Sequence, residues 1–414
     1  MRLAFINHTH PDTPHVSAMR MYYFARVMAA RGHQVVLVTG ESPAHPGQGL
    51  RAGQVDEAVA GHDWAQPLVL PVLEQSGAAS PGHGDATGLP SLARRLRTAW
   101  RLLGGDGIHG PWVANARPLL ERLAQAHAPD LVWTTFGNTS NLQLGQWLAH
   151  KSGCPWVADI KDNWCQFIPR GLRRAVAWRF KDATGLTSNA WFHLRTAAAW
   201  GGSRPASVVY SGVEETFFQA RSGVGEGQHQ DVLMVGSTYS ESRLRELLAA
   251  LKRWMDALPA PDRARLRFVY AGSDVQRVED ALQVVSLPCA YQVLRQMPVA
   301  ELARRASSSL FNCYVASDVT FHHKLLELLV AGRPLVCYPD EHPESRRLAT
   351  EVDTGFHVCA DADALVTAFS TIHDTATAEA TASSPPAWRW DDFAVGLEQF
   401  FEELTQERGA PCAA

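Results

Sequence analysis

The chain predicts an α/β fold made of two doubly wound parallel sheets, and three observations predict it. Short apolar runs alternate with segments of helical period almost from end to end. The alternation is interrupted by a polar stretch near the middle and then restarts. The length, 414 residues, exceeds what one ordinary core covers, so two domains are expected.

The elements follow in order. An apolar run at 3–6 is followed by helical spacing over 17–31 (Met21, Phe24, Met28), which Gly32 ends. A second apolar run at 35–38 completes a βαβ start, for which a parallel sheet is the default. Residues 74–90, rich in Gly, Ala, Ser and Pro, read as a loop insertion. Strands at 131–134 and 156–160 flank a helix at 140–151, and 207–210 is the last strand of this half. The polar segment 219–230 reads as the interdomain linker. Beyond it come a strand at 231–235, a helix at 241–257, a strand at 267–271, a helix at 299–307 and a strand at 310–314. A further helix and the strand 335–338 follow, and an amphipathic terminal helix spans 388–404. The expected domains are 1–218 and 231–385, with 386–407 as a terminal helical segment. Sheets of this kind take ligands beyond the carboxyl ends of their strands, so two of them facing each other would place a cleft there.

Bulk composition excludes several classes. Hydrophobic content of 46% and charged content of 19% are those of a globular chain. A formal net charge of −4 leaves no nucleic-acid footprint. The seven Cys are scattered without CxxC or Cys/His ligand spacing, so reduced, mostly buried thiols are expected. The first residues turn polar too early for a signal peptide, and no apolar run reaches the length of a membrane span. A cytoplasmic protein is expected, either soluble or peripheral on the inner face of the cell membrane.

The most informative stretch is Phe321-His322-His323-Lys324-Leu325-Leu326-Glu327, continuing through Leu328, Leu329, Val330 and Ala331 to Gly332-Arg333-Pro334. It sets Lys324 and Glu327 one turn apart on an otherwise apolar helix that Gly and Pro stop. A cation at a helix start suits phosphate. A carboxylate held among leucines needs donors, and ribose hydroxyls would supply them. The same spacing suits a surface ion pair on a half-exposed helix. No GxGxxG follows the first strand of either half, which disfavours a dinucleotide oxidoreductase.

This stretch resembles the donor-site helix of retaining GT-B glycosyltransferases of family 4, in which a Glu holds the nucleotide ribose ahead of a Gly-x-Pro stop. Glu327, Gly332 and Pro334 match those positions. Other segments agree in the same order: Ala30 to Thr39 with the first helix and second strand, Pro155 to Trp164 with an Asp-x-Arg-Asp-x-Trp segment, and Val208 to Phe218 with an Asn-Gly-Val-Asp motif. Met234-Val235-Gly236-Ser237 and Val269 to Ser273, which includes Gly272, resemble two strand ends of the family's second domain.

The resemblance implies two Rossmann-like domains with a last helix crossing back to the first. It implies transfer from a nucleotide-sugar donor, with retention, to a glycan or lipid-linked acceptor in cell-surface polysaccharide or glycolipid synthesis. No metal and no cofactor beyond the donor substrate is implied. There are departures. His15-Val16-Ser17-Ala18 stand where many members have a Gly pair, although Ser17 to Arg20 fits a Ser/Ala-rich variant with Arg. Val319 replaces the first Glu of a Glu-x7-Glu pattern, with Asp318 adjacent. Ser237 and Ser242 replace a basic pair, so Lys324 and Arg243 are the expected diphosphate cations, with His322 and His323 beside them. A non-catalytic homologue, or a nucleotide-sugar epimerase on the same fold, are the alternatives.

In the first half, His8, His10, His15, Ser17 and Arg20 lie in or just after the loop beyond the first strand, where acceptor contacts would fall. His8-x-His10 lacks the further ligands a metal needs. Asp159 and Asp162 end their strand, where one would orient an acceptor hydroxyl or act as a base; a capping role is the plainer reading. With Lys324 they form the expected catalytic set. Residues 91–103 and 170–181 are basic, amphipathic and carry Trp, a pattern that suits an anionic bilayer surface or a core-facing stripe with a solvated basic face.

Overall fold

The structure is a computed structural model. It describes residues 1–13, 15–73, 91–104, 107–197, 204–221, 230–317, 320–352, 354–375 and 386–409. The expected loop insertion at 74–90 and most of the expected linker, 222–229, lie outside them. The chain divides into two compact units: Met1–Ser211 joined by Trp390–Ala414, and Gly212–Arg389.

The first unit is built on β1 (Arg2–Ile6), β2 (Gln34–Thr39), β3 (Leu68–Pro71), β4 (Leu131–Thr135), β5 (Trp156–Asp159), β6 (Gly185–Ser188) and β7 (Ala206–Val208). Among the described residues these form a seven-stranded sheet in the order β3-β2-β1-β4-β5-β6-β7, parallel throughout. Successive side chains of a strand point to opposite faces. Ala4, Ile6, Val36 and Val38 therefore meet the helix residues Trp112, Leu120 and Leu148 on one face. Leu3, Phe5, Val35 and Leu37 meet Met21, Phe24 and Met28 on the other. Burial on both faces is why these strands read as unbroken apolar runs.

The terminal helix, Trp390–Gly409, completes that second face. It begins at Trp390; Trp388 stays with the second unit, where its indole N–H donates to Glu351 at 3.2 Å. Phe401 inserts edge-on between Trp133 (5.9 Å) and Phe5 (6.4 Å), and Trp390 stacks on Tyr23 at 5.0 Å. Glu398 receives His33 at 2.6 Å and also pairs with Arg31.

The second unit is built on β8 (Gln230–Val235), β9 (Leu266–Ala271), β10 (Ala290–Leu294), β11 (Phe311–Val315), β12 (Leu335–Tyr338) and β13 (Phe356–Val358). They form a six-stranded parallel sheet among the described residues, in the order β10-β9-β8-β11-β12-β13. The helices Glu241–Ala257 and Ala362–Thr375 cover one face through Leu244, Leu248, Trp254 and Phe369. Ser240 caps the first of these, its hydroxyl accepting the Arg243 N–H. The expected Lys-Glu helix forms as Lys324–Val330, with Leu325, Leu326, Leu328 and Leu329 buried, and Gly332 follows in the left-handed region at φ +75°. The helix Glu215–Ala220, placed from sequence partly in the first domain, packs in the second against the helices Val299–Ser308 and Lys324–Val330. No helix among the described residues is long and apolar enough to cross a membrane.

Candidate functional site

In the second unit, β8 and β11 are neighbours although the chain forms β9 and β10 between them. The winding direction reverses at this point, and the loops leaving the two strands diverge beyond their carboxyl ends. Gly236-Ser237-Thr238-Tyr239 leaves β8, and Ala316-Ser317 leaves β11.

Gly236 sits at φ +100°. The Lys324 ammonium lies over it so closely that a Cβ on residue 236 would stand 2.7 Å from Nζ. The backbone conformation favours glycine here, and a larger residue would also push the flexible end of Lys324 aside. Burial lowers the Lys324 pKa, while the negative charges of Glu327 and Asp274 pull it back up. Neither carboxylate forms a direct ion pair with Nζ among the described residues.

The end of β9 buttresses the end of β8. The Tyr270 hydroxyl donates to the Gly236 carbonyl at 2.8 Å and accepts the Asp274 N–H at 3.0 Å. Burial pushes the Tyr270 pKa up to about 12, which keeps it a donor. A Cβ on Gly272 would fall 2.3 Å from that hydroxyl and 2.6 Å from the Gly236 oxygen, so Gly272 serves the close approach of two strand ends. Asp274 accepts the Thr238 N–H at 2.7 Å and its hydroxyl at 3.1 Å, and Arg277 donates to the same hydroxyl at 3.2 Å. Sequence reasoning missed this Thr238–Asp274–Arg277 cluster. Its one visible signal is the parallel pair Gly236-Ser237-Thr238 and Gly272-Ser273-Asp274 at two strand ends.

Glu327 is 6% exposed, on the turn after Lys324, and its carboxylate lies 3.5 Å from the His323 ring. His322 turns into its own loop: Nε2 accepts the Ser317 N–H at 2.8 Å, and the ring lies 5.3 Å from both Tyr239 and Tyr314. Arg243, on the first turn of Glu241–Ala257, donates to the Ala316 carbonyl at 3.4 Å. Ser237 meets Ser273 at 3.5 Å on the open side. Thus Gly236, Ser237, Arg243, Gly272, His322, His323, Lys324 and Glu327 all gather at the carboxyl edge of this sheet. Asp318 lies outside the described residues.

The residues picked in the first unit separate into two sets. Arg20 and Asp159 are interior. Arg20 Nε and Nη2 donate to the two Asp159 oxygens at 2.9 and 2.8 Å, and neither side chain has exposed surface. Thr135 and Thr187 donate to the same carboxylate at 3.1 and 2.8 Å, and Arg20 Nη1 reaches the Val209 carbonyl at 2.8 Å. Burial alone would raise the Asp159 pKa; the Arg20 charge and these hydrogen bonds outweigh it and hold it below the usual carboxylate range. The expectation that Asp159 belongs to the catalytic set is therefore corrected, since its carboxylate is buried and fully engaged. The pair ties β5 to the first helix, with Asp159 as its buried anchor.

The second set lies at the carboxyl edge. Asp162 keeps part of its surface and pairs with Lys161 at 2.5 Å. His15 caps the helix Val16–Ala30, accepting the Ser17 N–H at 3.1 Å; burial and the Lys161 charge lower its pKa. Ser17 is buried and donates to Asn7 at 3.3 Å, closing the loop after β1. His8 and His10 do not converge. His8 stacks on His109 at 3.6 Å, whereas His10 accepts the Asp12 N–H at 3.1 Å. No group of three or more His, Cys, Asp or Glu side chains among the described residues is placed to hold a metal. His109, at the start of the helix Gly110–Ala126, was not anticipated, and nothing in its sequence context marks it.

No family model matches the chain, and no curated protein matches it. Solved structures do. Sucrose-phosphate synthase from Thermosynechococcus elongatus aligns over 99% of this chain and 97% of its own at 14% identity, with a TM-score of 0.60. Anabaena HepE in complex with UDP-glucose aligns over 99% of both chains at 12% identity, with a TM-score of 0.59. UDP-GlcNAc 2-epimerase from Methanocaldococcus jannaschii aligns over 97% of this chain and 100% of its own at 12% identity, with a TM-score of 0.55. With two doubly wound parallel-sheet domains and a terminal helix packed on the first, the chain has the GT-B fold that these enzymes share.

Proposed function

We propose that the protein is a glycosyltransferase moving a sugar from a nucleotide-sugar donor to a glycan or lipid-linked acceptor, with retention, as the family 4 resemblance of its Lys-Glu helix implies. One observation carries the reading. The Lys324 ammonium lies over Gly236 at the switch point of the second sheet, with the buried carboxylate of Glu327 one turn further on.

The donor roles follow from the chemistry of these groups. Lys324, partly withdrawn from water, takes the diphosphate, where a charge-assisted contact is strongest. Gly236 lets the phosphates approach the backbone, and Arg277, held by Thr238, is a second cation within the same strand-end cluster. Glu327 accepts from the ribose hydroxyls, which accounts for a carboxylate among leucines. As the glycosidic bond breaks, charge develops on the departing diphosphate, and Lys324 stabilises it. On the first domain, Asp162 is the carboxylate assigned to orienting the acceptor hydroxyl, with His8, His10 and His15 on the same loop edge.

The test is a thermal-shift panel of UDP-, GDP-, ADP- and dTDP-sugars, followed by NMR of the product from whichever stabilises the protein. Release of nucleoside diphosphate, with a product whose anomeric configuration matches that of the donor, supports the retaining transferase. Conversion of UDP-GlcNAc to its C2 epimer would assign the epimerase instead, a reaction borne by solved neighbours. Stabilisation by no nucleotide sugar would overturn both.

A further inference from the structure

The helix Ser91–Leu103 lies beside the helix Arg173–Arg179 in the first unit. Sequence alone left open whether the apolar stripe of the first helix is buried. The structure splits it. Leu102 and Leu103 pack against the core. Leu96 and Trp100, one turn apart, are 63% and 67% exposed. Trp178 on the neighbouring helix is 68% exposed, with the Lys181 ammonium 4.7 Å from its ring. Two indoles and a leucine left in water on adjacent helices are unusual in a soluble surface.

The two segments carry charge of one sign in sequence, and the acidic residue that follows the second, Asp182, is engaged with Gln146 and His150. Residues 91–103 carry Arg94, Arg95, Arg97 and Arg101 and no Asp or Glu, and 164–181 likewise contains no acidic residue. Arg170, Arg174 and Lys181 are exposed. The chain as a whole is acidic at −4, so this cationic patch runs against its average. Indole rings favour the headgroup level of a bilayer, and arginines around them meet lipid phosphates. A second copy of the chain would bring like charge against like, which opposes self-association through this face.

We propose that these two helices form a docking surface for an anionic bilayer, seated by Trp100, Trp178 and Leu96 and held by Arg97, Arg101, Arg170 and Arg174. The surface belongs to the first unit and the proposed donor site to the second, and its occupancy requires no nucleotide.

The test is co-flotation of the full chain with phosphatidylglycerol vesicles and with phosphatidylcholine vesicles. The wild type is expected to float with the anionic vesicles only, and to be released by salt as screening shortens. Trp100→Ala with Trp178→Ala should abolish flotation. Arg174→Glu alone should weaken it by about fivefold or more. Far-UV circular dichroism of each variant keeps loss of fold distinguishable from loss of binding. Failure of the folded wild type to float, or flotation unchanged in the double tryptophan variant, overturns the proposal. So does a dimer in light scattering that the tryptophan variant breaks while no vesicle binds. A silent nucleotide-sugar panel would leave vesicle binding unaffected, so the two readings fail separately.

Discussion

Arg20 and Asp159, 139 residues apart in sequence, close a two-pronged ion pair in the interior of the first domain, and every oxygen of the carboxylate has a donor. The guanidinium also lies 5.2 Å from the Phe24 ring and 5.6 Å from that of Trp133. A buried charge with all its partners is stable; the same charge with one partner deleted is not. Arg20→Met should therefore cost about 3–5 kcal/mol in urea unfolding, because Asp159 stays buried and unpaired. A double Arg20→Met, Asp159→Leu variant should cost less than Arg20→Met alone. A double variant worse than the single one would show that the pair does not act as a unit.

The same pair sets a pH dependence. The Asp159 pKa is held below its ordinary value in the folded state, so the unfolded chain takes up the proton first as pH falls. The contribution is complete above the unfolded carboxylate pKa, about 3.9, and is lost as pH falls through the lower folded value. Asp159→Asn should flatten the acid limb of a stability curve recorded by chemical denaturation, relative to wild type. Parallel acid limbs in the two proteins would remove the pair as its source.

The terminal helix gives a packing prediction. Phe401 is fully buried against Phe5 and Trp133, so Phe401→Ala should cost about 3–5 kcal/mol as transfer and cavity terms combine. Glu398→Gln, on the same helix beside Arg31 and His33, should cost less because it removes charge from that contact but no packed volume. Thermal melts of the two variants make the comparison, and equal losses would mean that the helix is held by its charges.

Gly236 is the residue that lets the Lys324 ammonium approach the backbone. Gly236→Ala adds a methyl at φ +100° and sets it 2.7 Å from Nζ. The backbone strain alone is expected to cost about 1–2 kcal/mol. Lys324 must then retreat, so donor affinity measured by calorimetry should fall by more than stability explains. Wild-type affinity in a folded Gly236→Ala protein would detach the glycine from the donor site.

What was legible in the sequence follows from burial. The central strands β1, β2, β4, β5, β8, β9, β11 and β12 are buried on both faces and announce themselves as apolar runs. Of the four edge strands, β7 was anticipated at 207–210, whereas β3, β10 and β13 were not; each of these keeps residues half exposed and so carries a weak pattern. β6 was missed for another reason. It opens on Gly185, where a Cβ would strike Phe400 and Leu404 of the terminal helix at 2.8 Å, and it continues into Thr187 and Ser188. The Lys324–Glu327 spacing could be read because both residues share one helix. The partners that give it meaning, Gly236, Thr238 and Asp274, come from two other strand ends; the sequence marks those ends by their Gly-Ser pairs, but nothing local tells that Thr238 and Asp274 bond to each other. Asp159 misled for the same reason: a carboxylate at a strand end looks available until its distant arginine is found.

Lys324 and Glu327 can be separated by ligand choice. If Lys324 serves the diphosphate and Glu327 the ribose, then Lys324→Met should weaken the nucleoside diphosphate by about tenfold to a hundredfold while leaving the bare nucleoside unchanged. Glu327→Gln should weaken both by a similar factor, since both carry the ribose. The pH dependence separates them again. Burial lowers the Lys324 pKa, so the ammonium is charged below that value and neutral above it. Diphosphate affinity should therefore fall as pH rises through the lowered pKa, and bare-nucleoside affinity should not. In Lys324→Met this alkaline loss should vanish, whereas in Glu327→Gln it should persist and begin at lower pH, because the negative charge that helps hold the proton on Lys324 is gone. Calorimetry across neutral to alkaline pH with both ligands reads all of these. Equal weakening of nucleoside and nucleoside diphosphate by Lys324→Met would sink the assignment, because a cation that meets the phosphates cannot act on a ligand that lacks them.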